Sequence, residues 1–471
     1  MKTKNIMIHT IRNILLLSLL PVCGMAQDQE KETPPPGGEP KGFTLPEKET
    51  FTLENGMSAV MVPWGSIPKA TIQITVKTGN INEEADEVWL ADLVADLMEE
   101  GSINMDGNQI ADKLAGMGGN LSIGVGQHTT TLSVSVLYEY VPQVIEVLAD
   151  VLMNPAFPED ELERLVNDRK RQLSIQKTQP QPQAYEQFYA AIYPDHPYGR
   201  YFPTDEMLDS YTVDKIKSFY QQNFGAKRST IYVAGKFDAT KTKESIVDSF
   251  ESWRAGDPAE YPIAEPKTAA EIQMIDRPDA PQSTLIVGLP VPDPSNPDYI
   301  PMSVTNALLG GSFGSRITSN IREDKGYTYS PFSTVTDRYR SSIWFELADV
   351  TTDVTGPALR EITKEIYRLQ EEAPTKEELD GIKNYQAGIY VLQNSTRGGI
   401  IGQLSYLNTY DLPEEFLTER VKNIYAVTPE QVSEMTKKYI RPEDMTMVIV
   451  GDKAKIEQQI KEYEDEMKDR Q

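Results

Sequence analysis

The chain has 471 residues, and its 71 acidic against 46 basic side chains give a formal net charge of −25. This length is too great for one ordinary hydrophobic core, so at least two domains are expected. The negative charge argues against nucleic acid and anionic membranes as partners, and it favours a basic partner or a basic peptide.

The first 26 residues have the order of a secretory signal peptide. Residues 1–12 carry basic side chains and no acid, residues 14–22 form a short apolar run, and small residues lead to Ala26. The apolar run is too short to span a bilayer. We therefore expect cleavage after Ala26 and a periplasmic or secreted protein. Lipid attachment at Cys23, the one cysteine of the chain, is the alternative.

Residues 27–48 are rich in proline, glutamate and glycine, cannot bury enough apolar surface to fold, and are predicted to be a disordered spacer. Strand patterns then surround the turn signal Glu54-Asn55-Gly56. Further along the first half, the periodicity predicts a helix over 88–98, two strands over 120–136, helices over 140–153 and 159–176, and a buried strand over 229–234.

The second half repeats this order at a nearly constant offset. Four residues recur 215 or 216 positions later in the same local context, namely Pro142 and Pro357, Pro158 and Pro374, Thr212 and Thr428, and Gly235 and Gly451. This predicts two copies of one domain, over 49–254 and 269–471, joined by a Pro-rich linker over 255–268; two unrelated domains are the alternative. The fold class expected is α+β: two homologous domains, each a mainly antiparallel sheet with helices packed on one face.

The most distinctive segment covers residues 308–330. Leu-Gly-Gly-x-x-x-Ser-Arg ends at Arg316, and Ile-Arg-Glu-x-x-Gly-x-x-Tyr-Ser begins at Ile321. The glycines resemble a phosphate cradle only weakly, since no Gly-Lys-Ser/Thr follows them. The pair of motifs resembles the second-domain signature of the pitrilysin-like, or insulinase-like, zinc metallopeptidases (inverzincins). Leu-Glu-Asn-Gly-Met from Leu53, Gly-Gly-Asn from Gly118 and His-Pro-Tyr-Gly from His196 also resemble that family, over residues 47 to 453.

The resemblance implies that Arg322 and Tyr329 bind substrate. A guanidinium forks onto a peptide carbonyl or a carboxylate, and a phenol donates to a developing oxyanion. The alternatives are a helix salt bridge for Arg322 and a core tyrosine for Tyr329. Gly119 and Asn120 correspond to the strand on the substrate side, where an extended peptide would add to an exposed sheet edge; a paired hairpin is the alternative.

The family's zinc-binding residues are missing from this chain. Its His-x-x-Glu-His motif places two imidazoles on one helical face, with a general base between them. Here Asp92 and Asp96 stand at the histidine positions and Ala95 at the base, while Lys170 falls near the third ligand. We therefore expect no metal or cofactor in this chain. Weak binding of a hard cation by the two aspartates is the alternative.

These patterns predict the zinc-less, substrate-positioning subunit of a heterodimeric zinc metalloendopeptidase, like the non-catalytic half of mitochondrial processing peptidase-like pairs. The expected partner is a related chain that carries His-x-x-Glu-His and the zinc, and the chain alone is expected to be inactive. The alternatives are a non-enzymatic peptide-binding or scaffold protein derived from a peptidase, and a peptidase with a replaced metal site.

Overall fold

The computed structural model describes residues 42–268 and 270–470, which form two β-sheets. The order of the five strands in the second sheet matches that of five strands in the first, which has one additional edge strand. The predicted signal peptide and residues 27–41 of the predicted spacer lie outside the described residues. The remaining residues of that spacer, 42–48, are not free of the fold, because Phe43 stacks edge-on against Tyr390 and Lys48 forms an ion pair with Glu414.

The first sheet has the strand order β1-β2-β6-β3-β5-β4 and is antiparallel except where β2 meets β6. Its strands are β1 (Glu49–Thr52), β2 (Ser58–Pro63), β3 (Lys69–Val76), β4 (Ser122–Val125), β5 (Thr130–Leu137) and β6 (Ser229–Gly235). The helices of this half are α1 (Leu90–Glu99), α2 (Gly107–Gly116), α3 (Val141–Met153), α4 (Glu159–Thr178), α5 (Pro180–Ile192), α6 (Asp205–Ser210), α7 (Val213–Asn223) and α8 (Ala239–Phe250).

The second sheet has the order β7-β11-β8-β10-β9, with a parallel pair only between β7 and β11. Its strands are β7 (Glu271–Asp276), β8 (Gln282–Val291), β9 (Phe332–Arg338), β10 (Ser341–Thr351) and β11 (Thr446–Gly451). Its helices are α9 (Tyr299–Leu309), α10 (Arg316–Thr318), α11 (Thr355–Glu371), α12 (Lys376–Gln393), α13 (Arg397–Tyr410), α14 (Glu415–Thr418), α15 (Arg420–Ala426), α16 (Pro429–Tyr439) and α17 (Lys453–Arg470). The mainly antiparallel α+β class predicted from the sequence is confirmed.

The repeated residues occupy equivalent places in the two halves. Thr212 and Thr428 are the N-caps of α7 and α16, and each hydroxyl accepts the backbone N–H of the residue three positions later. Gly235 and Gly451 end the equivalent strands β6 and β11. A side chain at Gly235 would meet the carbonyl oxygen of Lys69 at 2.4 Å, which explains why glycine stands there.

The two halves exchange a helix, which the sequence pattern did not predict. One face of each sheet packs on its own helices, as expected. The other face is also covered, because α5 of the first half packs on the second sheet through Phe188, while α13 of the second half packs on the first sheet through Ile400 and Ile401. The expectation of helices on one face is therefore incomplete: both sheets are buried on both faces, and each half completes the other's core.

His-Pro-Tyr-Gly lies at the junction of the halves. His196 caps a short turn by accepting the N–H of Tyr198, and the Tyr198 hydroxyl bonds to the His128 ring at 2.7 Å and accepts the N–H of Tyr339 in the second half. This motif therefore helps to join the two halves. Among the helices of residues 42–268 and 270–470, none combines the length and apolar character needed to cross a membrane.

Candidate functional site

The position of the family's zinc helix is occupied by α1, whose two aspartates face a guanidinium. Asp92 and Asp96 lie one helical turn apart and therefore share a face. Arg169 of α4 reaches both: its Nε and Nη2 lie 2.7 and 2.8 Å from the Asp96 carboxylate oxygens, and its Nη1 lies 3.3 Å from Asp92. We call these three residues the acid–arginine clamp. It joins α1 to α4 through charge-assisted hydrogen bonds.

Lys170 does not take part in this clamp. Its ammonium forms an ion pair with Asp209, and the neighbouring Arg169 is the residue whose side chain lies between the aspartates. The correspondence of Lys170 to the third-ligand position stays a prediction, and Arg169 is the basic residue of α4 that contacts the two aspartates. Ala95, at the general-base position, is buried and contributes only a methyl group.

A buried carboxyl group supports the start of α1. Glu83 accepts the backbone N–H of Ala91 at 2.9 Å, and the Asn80 amide bridges Glu83 and Asp92 at 3.1 and 2.9 Å. Burial raises the pKa of Glu83 to about 8. Burial also raises the pKa of Asp92, against the opposing effect of Arg169. Asn80, Glu83, Asp92 and Arg169 line a cleft of about 230 Å³, which we call the first cleft. Its other lining residues include Trp89, Gln127, Gln172, Gln176, Arg200 and Tyr201.

Trp89 holds the N-terminal end of α1 in place. The residue precedes α1 with φ at 68°, in the left-handed region that bulky side chains rarely adopt. Its ring packs edge-on against Phe202. Strain of this kind persists only where the surrounding structure fixes the residue, so α1 is held firmly at its N-terminal end.

The residues of the clamp do not fit zinc. Structural and catalytic zinc sites use imidazole, thiolate and carboxylate donors around an ion, and here the space between the two carboxylates holds a guanidinium. Within residues 42–268 and 270–470, no group of three or more His, Cys, Asp or Glu side chains is arranged to hold a metal ion.

The second-half signature begins with a structural arginine. Arg316, at the start of α10, forms a two-pronged bond to the Glu378 carboxylate of α12, with N–O distances of 2.7 and 2.9 Å. The chain then continues as a π-helical turn over Ser319–Asp324, a rare geometry that is frequent at functional sites. Asn320 anchors this turn to α11 by donating to Glu361 and Glu365 at 2.8 Å each.

Arg322 is part of this π-helical turn, and its side chain lies next to Tyr329. The structure therefore brings together the two residues that the signature predicts. The Arg322 guanidinium lies 4.3 Å from the centre of the Phe313 ring and 5.5 Å from that of Tyr329. Its ionic partner is the adjacent, exposed Glu323 at 3.3 Å. The Tyr329 side chain is 81% exposed, which rules out a core role. The helix salt bridge weighed for Arg322 is present, but with a partner in solvent.

Arg322 and Tyr329 line a second cleft of about 370 Å³. Its other lining residues are Gly310, Gly311, Ser312, Phe313, Thr318, Ser330, Pro331, Phe332 and Tyr385. No residue of the described chain lines both this cleft and the first one. Phe313, Phe332 and Tyr385 were not predicted as site residues. Phe313 lies inside the motif, but Tyr385 comes from α12 and carries no local signal.

The glycines of the signature are packing residues as well. A side chain at Gly310 would meet the Glu346 carboxylate and the Ser333 hydroxyl at 2.5 Å, and one at Gly311 would meet the Asn306 amide at 2.4 Å. Glu346 is fully buried in β10, and neither of its oxygens has a hydrogen-bond partner within the described residues. Burial raises the pKa of Glu346 well above its ordinary value. The two glycines of the second cleft therefore lie directly against tightly packed side chains.

Gly119 and Asn120 lie in the turn between α2 and β4, outside both clefts. A side chain at Gly119 would meet the Ser135 carbonyl and the Val134 side chain at 2.9 Å each, so this glycine allows close packing on β5. The following strand β4 is an edge strand of the first sheet. The N–H of Ile123 in β4 donates to the Glu99 carboxylate of α1 at 3.1 Å, which places the edge beside the clamp helix.

Comparison with known proteins identifies the family. Residues 65–204 match the model described as insulinase (peptidase family M16), and residues 210–385 match the peptidase M16 inactive domain. An uncharacterized zinc protease of Rickettsia felis is 24% identical over 80% of this chain and 93% of its own length. The uncharacterized zinc protease YmxG of Bacillus subtilis is 22% identical over 85% of this chain and 97% of its own.

Solved structures share the fold. A peptidase M16 inactive domain from Pseudomonas fluorescens superposes with a TM-score of 0.79 at 23% identity, covering 86% of this chain and 98% of that one. A protease from Helicobacter pylori gives a TM-score of 0.80 at 19% identity, covering 87% and 100%. Together with the two matched family models, these relatives show that the chain is a peptidase-derived member of the M16, or insulinase, family.

Proposed function

We propose that the chain is the zinc-less, substrate-positioning subunit of a heterodimeric zinc metalloendopeptidase that acts on peptides in the periplasm. The observation that supports this proposal most strongly is the environment of the Arg322 side chain. Its guanidinium is held between two exposed rings, and its ionic partner Glu323 is itself in solvent. A cation in this condition keeps its hydrogen-bonding capacity for a ligand.

The roles of the two residues follow from their chemistry. Arg322 donates in a fork to a backbone carbonyl of an extended peptide, with the guanidinium oriented by Phe313 and Tyr329. The exposed Tyr329 hydroxyl donates to the oxygen on which negative charge develops when the peptide bond is attacked. The β4 edge, next to α1, is suited to strand addition by the same peptide.

The residues of the first half support a two-subunit enzyme in which the other chain supplies the metal. Asp92, Ala95 and Asp96 leave no general base and no imidazole, and Arg169 occupies the space between the carboxylates. The metal and its activated water therefore have to come from a related partner chain with His-x-x-Glu-His. The predicted signal peptide would place this complex in the periplasm.

A peptide-binding protein without a catalytic partner is the second candidate. The partly buried Arg322 and the exposed Tyr329 favour it as well, because they would bind a peptide whether or not a zinc-bearing chain closes over it. The two candidates differ only in the partner, so an experiment on the partner separates them.

The test is affinity purification of the tagged chain from its native host, with mass spectrometry of the proteins that accompany it and zinc analysis. A stoichiometric chain with His-x-x-Glu-His and about one zinc per pair is the expected result. In that complex Arg322→Ala and Tyr329→Phe should reduce peptide cleavage by 100-fold or more, on the order of one lost oxyanion donor. Arg171→Ala, which removes an exposed arginine of α4, is the control and should leave cleavage unchanged.

Recovery of a metal-free chain that still binds peptides would support the second candidate. Recovery of zinc in the chain itself, with cleavage in the absence of any partner, would contradict both.

A further inference from the structure

The two sheets differ at one edge. In the first sheet, β1 (Glu49–Thr52) covers the outer edge of β2. The equivalent strand of the second sheet is β7, because Asp276 lies beside Gly451 just as Pro63 of β2 lies beside Gly235. Within the described residues no strand pairs with the outer edge of β7. Four of the six residues of β2 are buried, whereas none of those of β7 is. The outer edge of β7 is therefore open to a further strand.

The linker that precedes β7 does not cover this edge, because it is bound to the first half. Arg228 donates to the backbone carbonyls of Asp257 and Pro258 at 3.1 and 3.2 Å. Further along the linker, the N–H of Lys267 donates to the carbonyl of Ile192 at 2.8 Å. The segment that takes the place of β1 in the second half is thus held elsewhere.

A cleft of about 240 Å³, which we call the third cleft, lies beside this open edge. Its apolar lining includes Ile272 of β7, Met445 and Met447 at the start of β11, and Met467 of α17. Methionine side chains are flexible and polarizable, so such a lining adapts to an apolar group of another molecule.

The first half shows what occupies the equivalent place. Phe51 of β1 lies opposite Ala59 of β2, and the register of the two sheets makes Ile272 the counterpart of Ala59. The Phe51 ring packs against the first core, with the Lys243 ammonium of α8 at 4.7 Å from its centre. A strand beside β7 would direct the side chain opposite Ile272 to the face that holds α17 and the third cleft.

The rim of the third cleft is acidic. Glu271, Glu443 and Glu464 line it, and none of these carboxylates has an ion-pair partner within the described part of the chain. The one basic residue among the described lining residues is Lys468, whose ammonium pairs with Asp465 at 3.5 Å. Charge complementarity therefore favours a segment with lysine or arginine side chains beside its apolar one.

Two other occupants fit less well. When two copies of β7 pair antiparallel and in full register, Glu271 of one lies opposite Asp276 of the other, and like charges in that position are destabilising. Residues 27–41 of this chain contain no large apolar side chain that could enter the third cleft. The occupant is thus a segment of a different protein.

We propose that the β7 edge and the third cleft form a docking surface for an extended, basic segment of another protein. The segment adds to β7 as a strand, places one large apolar side chain in the third cleft and directs lysine or arginine side chains toward the three glutamates. The third cleft shares no lining residue with the second cleft within the described chain. The proposal therefore goes beyond the proposed function and does not depend on it.

Synthetic peptides test this surface on the full-length chain. The titrations use the Arg322→Ala variant, so that the second cleft does not contribute to binding. The probe is a fluorescein-labelled nine-residue peptide of alternating lysine and threonine with a central phenylalanine, and binding is read by fluorescence anisotropy. Replacement of the phenylalanine by alanine should weaken binding about tenfold, because one aromatic side chain is no longer buried.

Backbone methylation tests the addition of a strand. Two further peptides are N-methylated on alternate residues, one at the odd and one at the even positions. One of them should lose binding and the other should keep it, because only alternate amides of a strand face its neighbour.

Variants assign the binding to the third cleft. Glu443→Gln combined with Glu464→Gln should weaken the probe about tenfold, the effect of losing two partly exposed ion pairs. The control combines Glu146→Gln with Glu244→Gln, two exposed glutamates of the first half, and should leave the affinity unchanged. Met467→Ala should remove most of the difference between the phenylalanine and alanine peptides. All five side chains are at least partly exposed, so these variants fold.

Several results would overturn the docking surface. They are equal binding of the phenylalanine and alanine peptides, equal affinity of the two N-methylated peptides, and failure of every probe to bind. An equal loss in the two double glutamate variants would also overturn it, because binding would then follow the net charge alone. A dimer in sedimentation velocity that dissociates in Met467→Ala would assign the edge to a second copy instead. None of these results bears on the proposed function, which depends on Arg322.

Discussion

The two halves share one fold and have opposite electrostatics at their candidate sites. In the first half, Arg169 of the same chain forms ion pairs with both Asp92 and Asp96. In the second half, Arg322 has only a solvent-exposed neighbour as its ionic partner and lies between exposed rings. A charge that the fold satisfies has a structural role, whereas a charge that the fold leaves at the surface of a cleft is available to a ligand. This contrast agrees with the proposal that the second half supplies the arginine that holds a peptide.

The signature itself contains the same contrast on a smaller scale. Arg316 and Arg322 lie less than two turns apart, and a motif search treats them alike. Arg316 is fixed by both oxygens of Glu378, so it joins α10 to α12. Arg322 makes no such bond. The geometry therefore distinguishes the structural Arg316 from Arg322, the arginine proposed to bind a peptide.

The largest expected effect concerns the pH dependence of the first half. Because the pKa of Glu83 is raised to about 8, the stability that its neutral form contributes is fully present below the ordinary pKa near 4.5 and is lost as the pH rises through about 8. The free energy of unfolding of the wild type should therefore fall relative to that of Glu83→Gln, by on the order of 4 kcal/mol over this window. Urea unfolding at several pH values measures it.

The exposed neighbour Glu84 is the control for this experiment. Glu84→Gln should leave the slope of stability against pH unchanged. Parallel curves for the wild type and Glu83→Gln would show that the carboxyl group is not buried in the way described, and would weaken the description of the first half as a closed site.

The second prediction concerns the loss of the cation from the acid–arginine clamp. Arg169→Leu leaves two carboxylates one helical turn apart without their cation, and it should lower the free energy of unfolding by about 2–3 kcal/mol. Lys170→Ala, next along the chain, removes an ion pair whose partner is exposed and should cost less than about 1 kcal/mol. Guanidinium unfolding measures both variants.

A triple variant tests whether unpaired charge causes this loss of stability. When Asp92→Asn and Asp96→Asn are added to Arg169→Leu, most of the lost stability should return, because no unpaired charge remains. If Arg169→Leu and Lys170→Ala cost the same, the clamp has no special role and the contrast between the two halves loses its basis.

The third prediction compares the two arginines of the signature. Arg316→Ala should lower the free energy of unfolding by about 1–3 kcal/mol, because it leaves Glu378 without its charge-assisted bonds. Arg322→Ala should change stability by less than about 1 kcal/mol, because its ionic partner Glu323 is exposed, and should nevertheless abolish peptide binding at the second cleft. The reverse pattern, with a destabilised Arg322→Ala and unimpaired binding, would contradict the roles given to both.

The smallest expected effect concerns Gly119, which the sequence placed among the substrate-binding residues. Its surroundings leave no room for a methyl group, so Gly119→Ala should cost about 1 kcal/mol of stability through overpacking. Peptide affinity should stay the same, since Gly119 lies outside both clefts. Asn120 is exposed, so Asn120→Ala should change neither the stability nor the peptide affinity. A selective loss of peptide affinity in either variant would return these residues to the binding site.

Local patterns predicted the features that depend on neighbouring residues. Thr212 and Thr428 cap helices by bonding three residues ahead, and Gly235 is required by a contact at a strand end, so the repeat could be read from the sequence. The pairing of Arg322 with Tyr329 followed from a motif whose two residues lie seven apart.

Long-range placement could not be predicted in this way. Successive residues on a helix point about 100° apart, so the sequence alone did not indicate that Arg169, and not its neighbour Lys170, contacts the two aspartates. An amphipathic pattern shows that α5 and α13 each have an apolar face, but not that the face covers the other half's sheet. Tyr385 joins the second cleft from a helix more than fifty residues away, with no signal in its own segment.

Hydrogen–deuterium exchange of the full chain with and without a bound peptide, read by mass spectrometry, shows directly which half binds. We expect protection in residues 310–332 and at Tyr385, which line the second cleft, and no change in residues 80–96 and 169–176 around the clamp. Protection confined to the clamp region would contradict the account, because it would place the surviving binding site in the half that the ion pair closes.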